Sequence, residues 1–319
     1  MIAGLELEGG QMVWFIIGLV LLAVVAAPKV LESRRTPMTP KRRQKAPGAF
    51  AELSQGITHC QWIGPVRGPV AVLIHGLSTP STVWTDVAQV LGDTGYRVLV
   101  YDLYGRGFSD APKGKQDAAF FLQQLNDVLE HEGLAEDLTL VGYSMGGTIA
   151  TAFAAQQPHR MKRLILLATC GVETRESDFS AFCRTKPIIG DWLHGLFAGA
   201  RMRRALLADP AGQAAPAVLA SQLSELNRQG FLPAVLSSRR NILEVTQEKE
   251  HRAISRDGIP VIAIWGEQDA VIPLAAVGTF AQWNRTAHQE VVPGAGHAVP
   301  YSHGEELSVF LRTMLREQR

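Results

Sequence analysis

Three regimes of apolar and polar patterning divide this chain. Residues 12–27 run without a single charge. From residue 49 to 169 short apolar runs alternate with amphipathic stretches, and the same alternation resumes at residue 259. Residues 171–258, between the two, show helical patches and no clear buried strand. Residues 50–53 and 57–63, split by Gln55-Gly56, predict a pair of short strands. Residues 69–74, 96–101, 138–141, 162–169 and 259–265 are dominated by apolar residues without alternation, as expected of strands buried on both faces, and residues 289–292 predict a final short strand. Helices are predicted over about 81–91, 117–131, 148–155, 273–283 and 304–316. In the first, Trp84, Val87 and Leu91 share a face; in the second, Phe121, Leu125, Val128 and Leu129 do. Strand–helix alternation implies an α/β fold, a mostly parallel sheet with helices on both faces. Its core is expected over 49–170 and 259–319, with 171–258 inserted as a helical cap or lid.

The charge-free run at 12–27 reads as one N-terminal membrane helix, within an anchor of residues 1–28. At about 1.5 Å per residue it is slightly short for a hydrocarbon core of about 30 Å, and flanking residues can extend it. A cleaved signal peptide has a basic leading region, whereas Glu6 and Glu8 precede this run. A buried core helix would sit awkwardly beside the basic residues that follow. Residues 29–48 hold Lys29, Arg34, Arg35, Lys41, Arg42, Arg43 and Lys45 against Glu32 alone, together with Pro37, Pro40 and Pro47. They read as an extended basic linker able to lie on anionic headgroups. Basic residues on the C-terminal flank orient that side, and the rest of the chain, toward the cytoplasm.

The 319 residues carry a formal net charge of +1. Because the basic excess sits in one short segment, the balance argues against nucleic acid as a partner. Three cysteines, Cys60, Cys170 and Cys183, do not make a disulfide framework. No spacing of His and Cys suggests a metal site.

The candidate chemistry centres on Gly142-Tyr143-Ser144-Met145-Gly146, a G-x-S-x-G run with an apolar strand before it and a helix-forming stretch after it. That context predicts a strained strand-to-helix turn that exposes the serine hydroxyl. Serine needs a base to take its proton and a third group to orient that base. In a parallel sheet the loops after the strands share one edge. Asp269 follows the strand at 259–265 and His297 follows the one at 289–292, which gives the chain order Ser, Asp, His. Asp102 and Glu173 also follow strands and stand as alternative acids.

These motifs resemble the α/β-hydrolase-fold serine hydrolases over nearly all of residues 50–317. The resemblance rests on His75-Gly76, the loop Asp102-x-x-Gly105-x-Gly107-x-Ser109, the elbow at Ser144, Gly266-x-x-Asp269-x-x-x-Pro273, and Gly296-His297. It implies Ser144 as nucleophile, His297 as base and Asp269 as its orienting acid. It further implies an oxyanion site made by the backbone N–H groups of Leu77 and Met145, whose apolar side chains would suit an acyl chain. His75 is expected to brace the loop that carries Leu77. Epoxide- and halide-displacing members of the fold need a carboxylate at the elbow, and residue 144 is serine. Acyl transfer without metal or organic cofactor is therefore expected. An anchor plus a cap resembles membrane-bound monoacylglycerol lipases and lysophospholipases. The same triad could instead serve an esterase or thioesterase for small soluble substrates, a C–C bond hydrolase, or a slow ligand sensor.

Overall fold

One eight-stranded sheet, ordered β1-β2-β4-β3-β5-β6-β7-β8, carries the fold. The computed structural model describes residues 9–317, so Glu6 and Glu8 lie outside the described residues. The strands are β1 (Ala49–Leu53), β2 (Gly56–Ile63), β3 (Val70–Ile74), β4 (Arg97–Tyr101), β5 (Leu138–Tyr143), β6 (Met161–Leu167), β7 (Val261–Gly266) and β8 (His288–Val292). β3 to β8 run parallel, and the β1–β2 hairpin adds to β4 in antiparallel fashion. The chain sets β4 on one side of β3 and β5 on the other. That reversal opens a crevice beyond the C-terminal end of β3.

Successive strand residues face opposite layers, as the two-residue period requires. Val72 and Ile74 pack with Phe121, Ile149, Phe153 and Phe280 on one face. Ala71 and Leu73 pack with Trp84, Leu91 and Leu311 on the other. Every residue of β5 and β7 is buried, which explains why the sequence shows them as apolar runs.

Residues 171–258 are helical, with no strand among the described residues. Within them Ile189–Leu193, a π-type turn at His194–Ala198, and Gly199–Ala208 join into one rod. A small second core of Ala198, Leu226, Phe231, Leu232 and Val235 holds this region together, and Leu77 of the sheet packs against it.

The expected extended linker is the main correction. The apolar helix does not stop at residue 28 but runs from Gly9 to Ser33 through Pro28. Proline has no N–H, so it leaves the carbonyl one turn back, that of Val24, without its helical partner. The indole Nε1 of Trp192 donates to that carbonyl at 2.8 Å. A long-range bond thus repairs the break that proline would make. Beyond the helix the chain stays docked. Thr36 exchanges backbone bonds with Asn227 and Gln229, each 2.9 Å. Glu32 accepts from the Gly230 N–H at 2.6 Å, and Arg43 pairs with Asp110 at 2.5 Å. Among the described residues, one helix, Gly10–Ser33, is long and apolar enough to cross a membrane.

Pro47 marks where this segment joins the sheet. Its carbonyl accepts from His59 Nε2 at 2.5 Å, while His59 Nδ1 meets Asp102 Oδ2 at 2.8 Å. Both partners are acceptors, so the cationic imidazole, with both ring nitrogens donating, is the form that satisfies both. Burial opposes that charge, but the hydrogen bond and charge of Asp102 and the Pro47 carbonyl outweigh it and raise the His59 pKa. Such a group gives stability that is complete below the unfolded value of about 6.5 and is lost as pH rises through the folded value. Thermal unfolding of the full chain in detergent is expected to become easier above about pH 6.5, and His59→Gln to flatten that slope. The same slope in His59→Gln would trace the titration to another group.

Candidate active site

Ser144 stands between β5 and the helix Met145–Gln156 with φ 53° and ψ −118°. A non-glycine residue rarely accepts a positive φ, so its surroundings must hold it there. Its N–H donates to Leu167 O at 3.0 Å, and its carbonyl accepts from Gly147 N–H at 2.9 Å and Cys170 N–H at 3.2 Å. The glycines make the turn possible. A Cβ on Gly146 would lie 1.9 Å from Ile74 O, and one on Gly142 would lie 2.5 Å from Gly146 O. Both positions require the bare backbone, as the strand–turn–helix reading implies.

The crevice edge brings the three sequence-predicted side chains together. His297 Nε2 lies 3.0 Å from Ser144 Oγ. His297 Nδ1 lies 2.8 Å from Asp269 Oδ2. The other carboxylate oxygen of Asp269 accepts from the N–H groups of Val271 and Ile272 at 2.7 and 2.8 Å. These bonds fix the carboxylate, which fixes the imidazole tautomer: Nδ1 donates and Nε2 faces the serine as acceptor. The two loops that carry Asp269 and His297 touch closely, since a Cβ on Gly266 would lie 2.4 Å from Gly296 O.

The loop before the first helix covers the serine. A Cβ on Gly76 would sit 3.3 Å from Ser144 Cβ. His75 braces that loop as expected: Nδ1 donates to Gly76 O, and Nε2 accepts from Leu103 N–H, each at 2.8 Å. Burial pushes its pKa down to about 4, so the ring is neutral and fits this donor–acceptor pattern. Leu77 O accepts from Arg106 Nε at 3.1 Å. Met145 opens its helix, where the first N–H groups lack partners within the helix. Its side chain, however, is packed into the main core. Leu77, half-buried between that core and the cap, is the one of the two that remains beside the crevice.

The alternative acids lie elsewhere. Asp102 is spent on His59, on Ser81 N–H at 2.8 Å and on Phe108 N–H at 2.9 Å. Glu173 accepts from Thr279 Oγ1 at 2.7 Å. Cys170 Sγ lies 3.4 Å from Ser144 Oγ. Its place three residues beyond β6 was the available signal. Burial raises its thiol pKa to about 11, so it stands as a neutral S–H beside the Ser144 hydroxyl. Next to it, Gly171 and Val172 border a cavity of about 230 Å³ that also meets Arg184, Arg239, Glu176 and Glu244.

Comparisons with known proteins place the fold in a family. The model of the alpha/beta hydrolase fold matches residues 69–303. The chain belongs to that family. It is similar to the pimeloyl-[acyl-carrier protein] methyl ester esterase of Aromatoleum aromaticum, with 29% identity over 78% of this chain and 98% of the relative. Among solved structures, a thermophilic esterase from Thermogutta terrifontis aligns with TM-score 0.69 and 22% identity, over 86% of this chain and 99% of that one. A bacterial membrane phospholipase A aligns with TM-score 0.69 and 21% identity, over 96% of this chain and 98% of that one.

Two outcomes test the site. Asp269→Asn is expected to keep the fold and lower kcat on a p-nitrophenyl ester by roughly a thousandfold or more, because the amide favours the wrong imidazole tautomer. A loss below tenfold would mean that His297 is oriented by something else. In Ser144→Ala, alkylation of Cys170 by iodoacetamide is expected to stay slow at pH 7 and to quicken about tenfold per pH unit toward alkaline pH. Alkylation at pH 7 as fast as that of a free cysteine would contradict the buried, protonated thiol.

Proposed function

We propose that this chain hydrolyses lipid-derived carboxylic esters, of the monoacylglycerol or lysophospholipid kind, through an acyl-enzyme on Ser144. The coarser class is that of a carboxylic ester hydrolase of the lipase and esterase type, in keeping with the fold family and the esterases it resembles. The observation that carries the mechanism is the unbroken hydrogen-bond line from Ser144 Oγ through His297 to Asp269. In this reading His297 Nε2 takes the hydroxyl proton as Ser144 Oγ attacks the acyl carbonyl. The N–H groups of Met145 and Leu77 receive the oxyanion, each worth about 3 kcal/mol of barrier. His297 returns the proton to the departing alcohol, and water then repeats the sequence to free the acid. Asp269 holds the ring and stabilises the imidazolium.

Three features support lipid as the acyl source. The Gly10–Ser33 helix suits a single membrane span, with its basic flank toward the cytoplasm. Leu77 presents an apolar side chain where the cap meets the crevice. The similar protein that spans nearly the whole of this chain is a membrane phospholipase A. Cap arginines are partly committed within the protein: Arg240 pairs with Asp191 at 2.5 Å, and Arg201 lies over the Phe179 ring at 4.5 Å.

A fluorophosphonate probe is expected to label the full chain at Ser144 and to leave Ser144→Ala unlabelled. In a series of p-nitrophenyl esters and monoacylglycerols, kcat/KM should rise with acyl length. Cleavage of acetate and butyrate esters alone would end the lipid reading and leave a small-ester hydrolase. Labelling without turnover on any ester would favour a sensor.

A further inference from the structure

The N-terminal helix and the cap rod lie side by side in a definite register. Trp192 bonds Val24 O. A Cβ on Gly195 would lie 2.7 Å from Pro28 Cβ, and one on Gly199 would lie 3.3 Å from Arg35 Nη2. Rising numbers on one therefore match rising numbers on the other, so the two helices point the same way. Residues that precede Trp192 on the rod must then lie farther toward the apolar, free end of the N-terminal helix. Ile188 and Ile189 are those residues, roughly one turn, or about 5 Å, beyond Trp192. Their exposures are 81% and 61%. Ile188 also holds φ at +66°, a conformation that β-branched residues strongly disfavour. Strain there keeps an isoleucine turned outward.

Length decides what surrounds them. From Gly10 to Val24 the helix rises only about 21 Å, against about 30 Å of hydrocarbon in a bilayer. From Gly9 onward no charge interrupts the chain until Lys29. A span that crosses the core must therefore use the turn from Val24 to Pro28, which is the turn the cap touches. The cap end at Trp192 is drawn down with it. A tryptophan at the headgroup level and apolar side chains buried about 5–10 Å deep are the ordinary pattern of an interfacial element. Lys186, exposed just before the tip, suits the headgroups.

We propose that the cap tip Pro187–Ile189, backed by Trp192, is inserted in the same bilayer that the Gly9–Ser33 helix crosses. The cap is then held at the lipid surface from two directions, by the helix and by its own tip. This rests on reading that helix as a membrane span, and the experiment separates the two.

Cys60, Cys170 and Cys183 are all buried, so a cysteine introduced at the surface takes a nitrobenzoxadiazole label selectively. The full chain carries it in phosphatidylglycerol-containing liposomes at Ile188→Cys, at Leu21→Cys on the helix, or at Val66→Cys. Val66 is 87% exposed on the loop before β3, at the sheet edge opposite the crevice. Doxyl-labelled lipid is expected to quench positions 188 and 21 and to spare position 66. Quenching at 21 without 188 overturns the inserted tip and leaves the span standing. No quenching at 21 overturns both. Equal quenching at 66 and 188 overturns the directed orientation. As a functional arm, Ile188→Asp with Ile189→Asp should lower hydrolysis of monoacylglycerol in vesicles about tenfold, given the cost of an aspartate in lipid. Hydrolysis of a soluble short ester should not change. Equal loss on both would reduce the tip to a structural role.

Discussion

Everything at the crevice depends on one strained residue, Ser144, held at positive φ where a β-strand turns directly into a helix. The turn persists because neighbouring backbone closes on it from three sides: Leu167, Gly147 and Cys170 bond its main chain, and Gly142 and Gly146 let strand and helix meet without a Cβ between them. The strain lifts the hydroxyl out of the sheet and aims the first N–H groups of the helix at the same point. The His297 imidazole and, behind it, the Asp269 carboxylate are delivered to that hydroxyl by other loops. The sheet order does this, since β3, β5, β7 and β8 all end at one edge.

Much of this was legible in the sequence, for a physical reason. Buried parallel strands must be apolar throughout, so β3, β5, β6 and β7 stand out as runs. An elbow must use glycine at fixed offsets, so it appears as a motif. Ser144, Asp269 and His297 each follow a strand by a few residues, and the topology brings their side chains within 3.0 Å of one another in sequence of contact. Met145 was half legible. Its backbone position follows from the motif, but whether its side chain meets substrate or core depends on packing that no local pattern encodes.

The segment from Pro28 to Pro47 was illegible for the opposite reason. Its prolines and charges are local signals of an extended tether, and several of them are overruled by partners elsewhere in the chain. Trp192 answers the carbonyl that Pro28 leaves open, Asp110 answers Arg43, and His59 answers the Pro47 carbonyl. None of these partners lies within a window that periodicity or turn chemistry can read. Cys170 is a similar case. Its place just past β6 put it at the crevice edge, but its contact with Ser144 comes from β6 lying beside β5, a fact of sheet order.

The same long-range bonds link the cap to the chemistry. Arg106, fully buried, donates to Leu77 O on the loop over Ser144, to Gln116 Oε1 at 2.6 Å, and to Ser238 Oγ at 2.8 Å on the helix Phe231–Arg240. Gly107 N–H donates to Glu225 at 2.9 Å, and burial raises that carboxyl to about pH 7. Moving the whole cap away from the sheet would take Ser238 Oγ and Ala234 O from this buried guanidinium, which would keep Leu77 O, Tyr104 O and Gln116 Oε1. Residues 185–189, by contrast, are exposed throughout. The cap is therefore rigid where it touches the loop of Leu77 and lightly held at its tip. A movement of the cap that reached the Leu77 loop would have to break the Arg106 bond to Ser238 and the Gly107 bond to Glu225.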